Sequence, residues 1–598
     1  MSNLIFKNSK YSANERIKFE LIKGVLNASR KEMEALITRT AMSPFIREKK
    51  DFFSAILNKK GELVVSTSLT LAGNLIETIV KHYPLNKMNN GDLYIYNDCY
   101  FTNGAVSHLP DMVFVMPVFR KNEIVCFIEC WGHLWDIGGS VSGSISPNST
   151  SVFQEGIMIP PVKVMNKGKI NKEILKIFIR NSRFPEFLEG DLSSLMAACK
   201  LGKKRVEECL DRHGKNNFLN ACEEIIKQSE SSLRKEIKKN IPDGTWQFRD
   251  YIDSDSVSNQ SYYVDLKLIK KNNELELSFD ETMHESKGPI NFIMDDSVPK
   301  FMLGLYLTKN IPNTIMNAGF QRAIKHVSKK RGTLVSPNFP SPLGLRSHTM
   351  FRVNSCIFGV LAQAMKGKSS AASAVYVLYY LRGISPISGK EELCIEGLSV
   401  GYGARYFRDG IDAVYYVAQE NYPIEFAETE FGINVEKFTL NKDSSGPGKF
   451  RGGSGIVRDI RVNLIDATLG VRIDNCKFPA FGINGGKSGG IGKVIINPDS
   501  KKPRKLKTIS DNNKLKQGDL IRIMTPGGGG WGNPCLRPKE RVFEDYLNGI
   551  ISYKSCVNDY GVVLTKSRKS IDQEETKIKR SNIKFEKKMF HRKNYFNF

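Results

Sequence analysis

The sequence predicts an α+β fold spread over several domains. Three observations predict it: a long helix of 3.6-residue periodicity followed by two β-hairpin patterns, a mostly helical stretch over residues 172–240, and a last third rich in short strands and glycine. With 598 residues, two to four domains are expected. Changes of pattern place them at 1–240 (α+β, with a hairpin suited to a metal), 241–435 (central, α+β) and 436–564 (β-rich). A basic, low-complexity tail at 565–598 follows and is expected to be mobile.

Residues 12–42 read as an amphipathic helix, with Phe19, Ile22, Val25, Leu26, Met33, Leu36 and Ile37 at three- and four-residue intervals. The Ser43-Pro44 step ends it, because proline disfavours helical backbone in the residue before it. A hairpin is expected over 47–57 and 62–65, and a second over 112–119 and 124–130, split by the polar Arg120-Lys121-Asn122-Glu123. Within 172–240, Met196, Ala197, Leu201, Val206, Cys209 and Leu210 mark one helical face, and a second helix is expected near 218–237. From Ile241 the pattern turns to strands, and alternation over 263–268 predicts a sheet with one wet face.

Gly367-Lys368-Ser369 looks like the end of a phosphate-binding loop. Ala362 stands where the first glycine belongs and the preceding residues read as helix, so no nucleotide site is expected in this chain. The last third also carries glycines at 446–455 and 482–486, and the four glycines of 527–530 after a short strand read as sheet corners in preference to an anion cradle, since no helix follows to present its N-terminus.

The hydrophobic fraction of 41% and charged fraction of 25% are those of a soluble globular protein. No apolar run reaches the roughly 18 residues that span a bilayer, and the first residues lack the apolar core of a secretory signal, so a cytoplasmic location away from membranes is expected. Eleven scattered cysteines without a CxxC pair argue against a disulfide framework. The net charge of +25 is spread along the chain and densest in the tail, without a nucleic-acid-binding motif, so no nucleic-acid partner is expected.

The chemistry is placed between Asn97 and Val164. His108 with Asp111, and His133 with Asp136, form two His-x-x-Asp pairs in a chain with eight histidines. In the expected hairpin one pair stands at the start of a strand and the other at the end of the next, so both lie at the same end of the sheet. Two imidazoles and two carboxylates converging there suit a divalent ion such as zinc, manganese or iron. Gly138, Gly139 and Gly143 follow, which lets backbone approach a ligand closely.

These residues resemble a known family, the B-type subunit of ATP-dependent hydantoinases and 5-oxoprolinases, which also contains the acetone carboxylase α subunit. The matching blocks are Asn97-Asp98-Cys99-Tyr100, His108-Leu109-Pro110-Asp111, His133 to Gly139, Gln154-Glu155-Gly156 and Ile159-Pro160-Pro161, and the resemblance runs over about 15–565. It implies Asp51 as a metal ligand beside His108, Asp111 and His133. Asp136 then either orients an imidazole or touches substrate, and Glu155 is either a general acid or base or a surface carboxylate before a turn. Arg322, Arg346 and His348 fall in family blocks and are expected to contact a substrate anion or to serve structural ion pairs; Arg183 and Asp191 are expected near the site on the same terms.

The resemblance implies a division of labour. A separate A-type partner holds ATP and phosphorylates the substrate, and this B-type chain, in a hetero-oligomer with it, completes the opening of a lactam or cyclic imide. The alternatives are a role in a ketone carboxylase and an inactive scaffold. Two departures from the family pattern bear on substrate: the longer loop between Tyr100 and His108, and Asp280-Glu281-Thr282-Met283-His284-Glu285-Ser286 in place of Asp-Ser-Gly-Thr-Ser-Pro-Gln.

Overall fold

The structure is a computed structural model that describes residues 12–67, 73–258, 260–312, 314–375, 377–415, 419–583, 585 and 587–592. It is an α+β chain in two compact units. The first comprises Met1–Gly139, Gly156–Lys239 and Ile293–His326; the second comprises Ser140–Glu155, Asn240–Phe292 and Val327–Phe598. The chain passes from the first unit to the second near residue 240. Residues 293–326 return to the first unit, and 327–598 belong to the second. Among the described residues no helix is long and apolar enough to cross a membrane.

In the first unit, helix α1 (Ala13–Thr40) begins where Ser12 and Glu15 form a capping box: the Ser12 hydroxyl accepts from Glu15 N, and Glu15 accepts from Ser12 N. Its buried residues Phe19, Ile22, Leu26, Met33 and Ile37 repeat the expected stripe. Ser43 then caps a short helix α2 (Pro44–Arg47), with proline at its first position. Next come β1 (Phe52–Asn58), β2 (Leu63–Ser66), α3 (Glu77–His82), β3 (Leu93–Tyr96), β4 (Asp111–Arg120), β5 (Glu123–His133), β6 (Val162–Asn166), β7 (Lys169–Ile170), α4 (Lys172–Arg180), α5 (Pro185–His213) and α6 (Lys215–Asn240). The strands form one seven-stranded sheet in the order β2-β1-β5-β4-β3-β6-β7, antiparallel throughout.

Both expected hairpins are present. The β4–β5 turn closes on Lys121 at φ 55°, and the register sets Asp111 opposite His133. The strands extend one to three residues beyond the expected bounds at the site end, so Asp111 opens β4 and His133 closes β5. Because β1 runs antiparallel to β5, its first residue reaches that same end.

In the second unit a helix, Ser347–Ala364, packs on the antiparallel strands Gly244–Ile252 and Tyr262–Lys271. Gly367-Lys368-Ser369 follows the end of this helix, so a strand–loop–helix phosphate cradle is not formed there. Two further sheets are built around Val377–Ile384 and Ile456–Val462.

Gly527–Gly530 runs through the middle of this unit. Its four N–H groups donate to Gly490, Gly453, Ala372 and Lys487 carbonyls at 3.2, 3.0, 2.9 and 2.8 Å. None of the four has positive φ; what they need is room. A Cβ on Gly527, Gly528, Gly529 or Gly530 would lie 1.8 to 2.3 Å from backbone atoms of Ser444, Tyr402, Phe481 and Pro447. With every N–H already bonded to backbone, this run packs chain against chain and has no donor left for an anion.

The tail expected to be mobile carries a helix, Gln573–Asn582, and a two-residue strand, Phe590–His591, paired with Gly482–Ile483. Arg580 donates to the carbonyls of Tyr560 and Arg537, and the Arg592 guanidinium lies 4.0 Å from the Phe248 ring centroid. Few anchoring residues within a basic background make this docking invisible to composition.

Candidate metal centre

The site is made where β1, β4 and β5 meet at one end of the first unit's sheet. His108 Nε2 lies 2.9 Å from Asp111 Oδ1 and 3.1 Å from His133 Nδ1, and His133 Nδ1 lies 3.2 Å from Asp111 Oδ1. All three side chains are buried, at 1%, 5% and 4% exposure. Asp51 stands just before β1, where the pairing of Phe52 with Gly132 brings it against His133. His133 N donates to Asp51 O at 3.0 Å, and Asp51 Oδ2 is 3.9 Å from His133 Nδ1. The structure thus brings together all four residues expected as ligands.

The donor set fits a divalent ion. Ligands about 2.1 Å from an ion and at right angles to one another are about 3.0 Å apart, while tetrahedral ligands are about 3.4 Å apart. The triangle of 2.9, 3.1 and 3.2 Å, from two imidazoles and one carboxylate, is compact enough for all three atoms to reach one such ion. Among the described residues this is the one group of His, Cys, Asp and Glu whose ligand atoms converge in this way.

Asp136 is turned onto Arg183. Its Oδ1 accepts from Arg183 N at 2.8 Å and Gly138 N at 3.2 Å, and its Oδ2 takes Arg183 Nη1 at 2.9 Å. Arg183 Nη2 also donates to Gly139 O at 2.6 Å. The pair fixes the left-handed Gly138-Gly139 turn after β5, which makes Asp136 a holder of the loop.

Glu155 belongs to the second unit and is no surface carboxylate: it is 1% exposed and accepts from Leu343 N and Gly344 N at 2.8 to 3.0 Å. Burial pushes its carboxyl up to about 8 against the pull of those amides. Arg346 stands at the cap of Ser347–Ala364, and its charge acts on Glu155. His348, in the first turn of that helix, is buried, and burial lowers its imidazole to about 4.

Arg322 is committed elsewhere. It makes paired contacts of 2.7 and 2.9 Å with Glu62 and of 2.8 and 3.1 Å with Glu223, all in the first unit. With its fork saturated by two carboxylates, it serves structure and offers no face to a substrate anion. The departing loop at 280–286 is similarly tied down: Asp280 accepts from Ser278 and Ser328, and Ser286 donates to Asp255. Cys99, near the motif, is buried and donates to Asn97 O.

Phe45, whose ring packs on His133, escapes a reading of the sequence, and Asp191, expected near the site or in an ion pair, instead accepts from the backbone N–H groups of Met42 and Ser43. The available signals were Ser43-Pro44, a cap followed by a first-turn proline, and Gly190 inside a helix, where glycine is costly unless another chain approaches closely.

The profile of the Hydantoinase B/oxoprolinase family matches residues 15–534. The chain belongs to this family. It is 30% identical over 585 residues to the B component of a putative D-/L-hydantoinase of Pseudomonas sp. (strain NS671), covering 94% of this chain and 97% of that one. It is 25% identical over 570 residues to the beta chain of the caprolactamase of Pseudomonas jessenii, covering 92% and 96%. The solved structure of the ATP-dependent caprolactamase from Pseudomonas jessenii has the same fold, with a TM-score of 0.83 at 23% identity over 96% of this chain and all of that one. So does a nucleotide-free acetone carboxylase, with a TM-score of 0.83 at 18% identity over 96% of this chain and 84% of that one. This hydantoinase B-type family therefore includes relatives named for amide-ring opening and shares its fold with a carboxylase.

Proposed function

We propose that this chain is the metal-holding B-type subunit of an ATP-dependent cyclic amidohydrolase. It opens a lactam or cyclic imide that an ATP-binding A-type partner has activated by phosphorylation. The observation that carries this reading is the buried face of His108, Asp111 and His133 with Asp51 beside it. These four residues would hold a zinc, manganese or iron ion, which supplies a Lewis acid and lowers the pKa of water. Asp111, in contact with both imidazoles, fixes the ring orientations. Asp51 is the most accessible of the four, so substrate would approach past it. Asp136 and Arg183 hold the glycine turn that borders the site. The names of two relatives, a hydantoinase component and a caprolactamase component, support a ring amide as substrate.

The test is reconstitution with an A-type partner and a panel of lactams and hydantoins. Ring opening coupled to ATP hydrolysis is expected. ATP turnover that needs bicarbonate and a ketone would overturn hydrolysis in favour of carboxylation, the reading that the altered 280–286 sequence favours. A chain that takes up no metal and leaves ATP turnover unchanged would be an inactive scaffold.

A further inference from the structure

The metal ligands sit on strand ends, and strand ends fray unless something holds them. The element that does so here is α2, a single turn of four residues between α1 and β1. The Phe45 ring packs on His133, with centroids 4.6 Å apart at 38°, and on Trp135 at 5.9 Å. The Phe45 carbonyl accepts from Asp51 N at 3.2 Å, and Asp51 O in turn takes His133 N at 3.0 Å. One residue thus touches two of the four candidate ligands, one by its ring and one by its backbone. Its neighbour Ile46 fills the space over Gly132, the residue before His133, where a Cβ would come within 2.9 Å.

What holds α2 is α5. Asp191, fully buried on that helix, accepts from Met42 N at 2.8 Å and Ser43 N at 3.0 Å. Thr40 Oγ1 meets Ser194 Oγ at 2.8 Å, and Gly190 lies so close to Met42 that a Cβ there would fall 2.1 Å from its side chain. A buried carboxylate spent on two backbone amides of a connecting turn is an expensive way to fix a loop whose only task is to connect.

We propose that α2 is a clamp that sets the geometry of the metal ligands, with Phe45 as the positioning residue in contact with them and Asp191 as the anchor that seats it. The proposal rests on the reading of His108, Asp111, His133 and Asp51 as ligands.

The test uses the full chain and reads metal content by plasma mass spectrometry, affinity for zinc and manganese by chelator competition, and the urea midpoint of the metal-free chain. Phe45→Leu and Asp191→Ala are expected to lose roughly 10- to 100-fold in metal affinity, the usual cost of removing a residue that orients ligands. Asp191→Asn is expected to stay near wild type, because an amide oxygen still accepts from Met42 N and Ser43 N. Ile22→Ala, a core change in α1 away from the site, lowers the urea midpoint without changing affinity. Should Asp191→Ala fail to fold, Phe45→Leu carries the measurement. Wild-type affinity in Phe45→Leu, or affinity that merely follows stability across all variants including Ile22→Ala, overturns the clamp alone. A wild-type chain that binds neither metal overturns the ligand reading and the clamp with it.

Discussion

Glu129 stands four residues before His133 on β5, fully buried, and neither carboxylate oxygen has a hydrogen-bond partner among the described residues. Burial, helped by the nearby Cys199, pushes its carboxyl well above the usual range. In the unfolded chain the group titrates near 4.5, so above that pH the unfolded state gives up a proton that the folded state retains. Stability therefore falls as pH rises from about 4.5 toward the folded value, by on the order of 1.4 kcal/mol per pH unit. Glu129→Gln removes this term, so its stability relative to wild type should improve as pH rises above about 4.5 in urea unfolding; parallel pH profiles would refute it. At the site itself, His108→Ala and His133→Ala should each abolish bound metal. Asp136→Ala should keep the metal while costing about 1–2 kcal/mol of stability, because it leaves the Arg183 and Gly138 N–H groups without their acceptor. Metal analysis and melting of the three variants separate these outcomes.

At the scale of elements, what could be read from the sequence was what is local. Two apolar runs around a polar turn define the β4–β5 hairpin, and a hairpin's register follows from its turn, so Asp111 and His133 could be set face to face from residues alone. Asp51 could not: its strand pairs with β5 across some seventy residues of intervening chain, and only the family resemblance pointed to it. Arg322 shows the same boundary from the other side, since its partners Glu62 and Glu223 stand 260 and 99 residues away. Composition carries no pairing at that range. The glycine runs were legible as structural, but the reason, close approach of separate backbones, needed the fold. It gives a contrast within one residue type. Gly529→Ala would drive a methyl to 1.9 Å from Phe481 O, and overpacking of that kind costs at least about 3 kcal/mol. Gly24→Ala, on an exposed face of α1 with nothing within 4 Å, should stabilise by about 0.5–1 kcal/mol. Urea unfolding of both variants tests whether space alone decides the sign.

At the scale of the whole molecule, the two units are not successive pieces of chain, and residues 588–592 pack onto the second. Phe590 packs at 4.7 Å on Phe248 and 5.7 Å on Phe481, and Arg592 caps Phe248. His591 Nδ1 accepts from Ser488 N at 3.0 Å, and Asn484 N and Gly485 N donate to the carbonyls of Met589 and Lys588. These contacts cover the edge of the glycine-rich run, so the segment that looks most dispensable in the sequence seals an apolar surface. Truncation after Asp572 removes the last helix and strand and leaves Phe248 and Phe481 uncovered. The second unit should then lose on the order of 2 kcal/mol, less than a fully buried aromatic costs because Phe590 is itself half-buried, and bind a hydrophobic dye. Phe590→Ala should reproduce most of the loss without shortening the chain. Bound metal should remain stoichiometric in both, because Asp51, His108, Asp111 and His133 all belong to the first unit. A truncated chain that melts with the full-length protein and binds no dye would show that the tail is the solvated appendage its composition suggests. Loss of metal together with stability would show instead that the centre depends on the second unit.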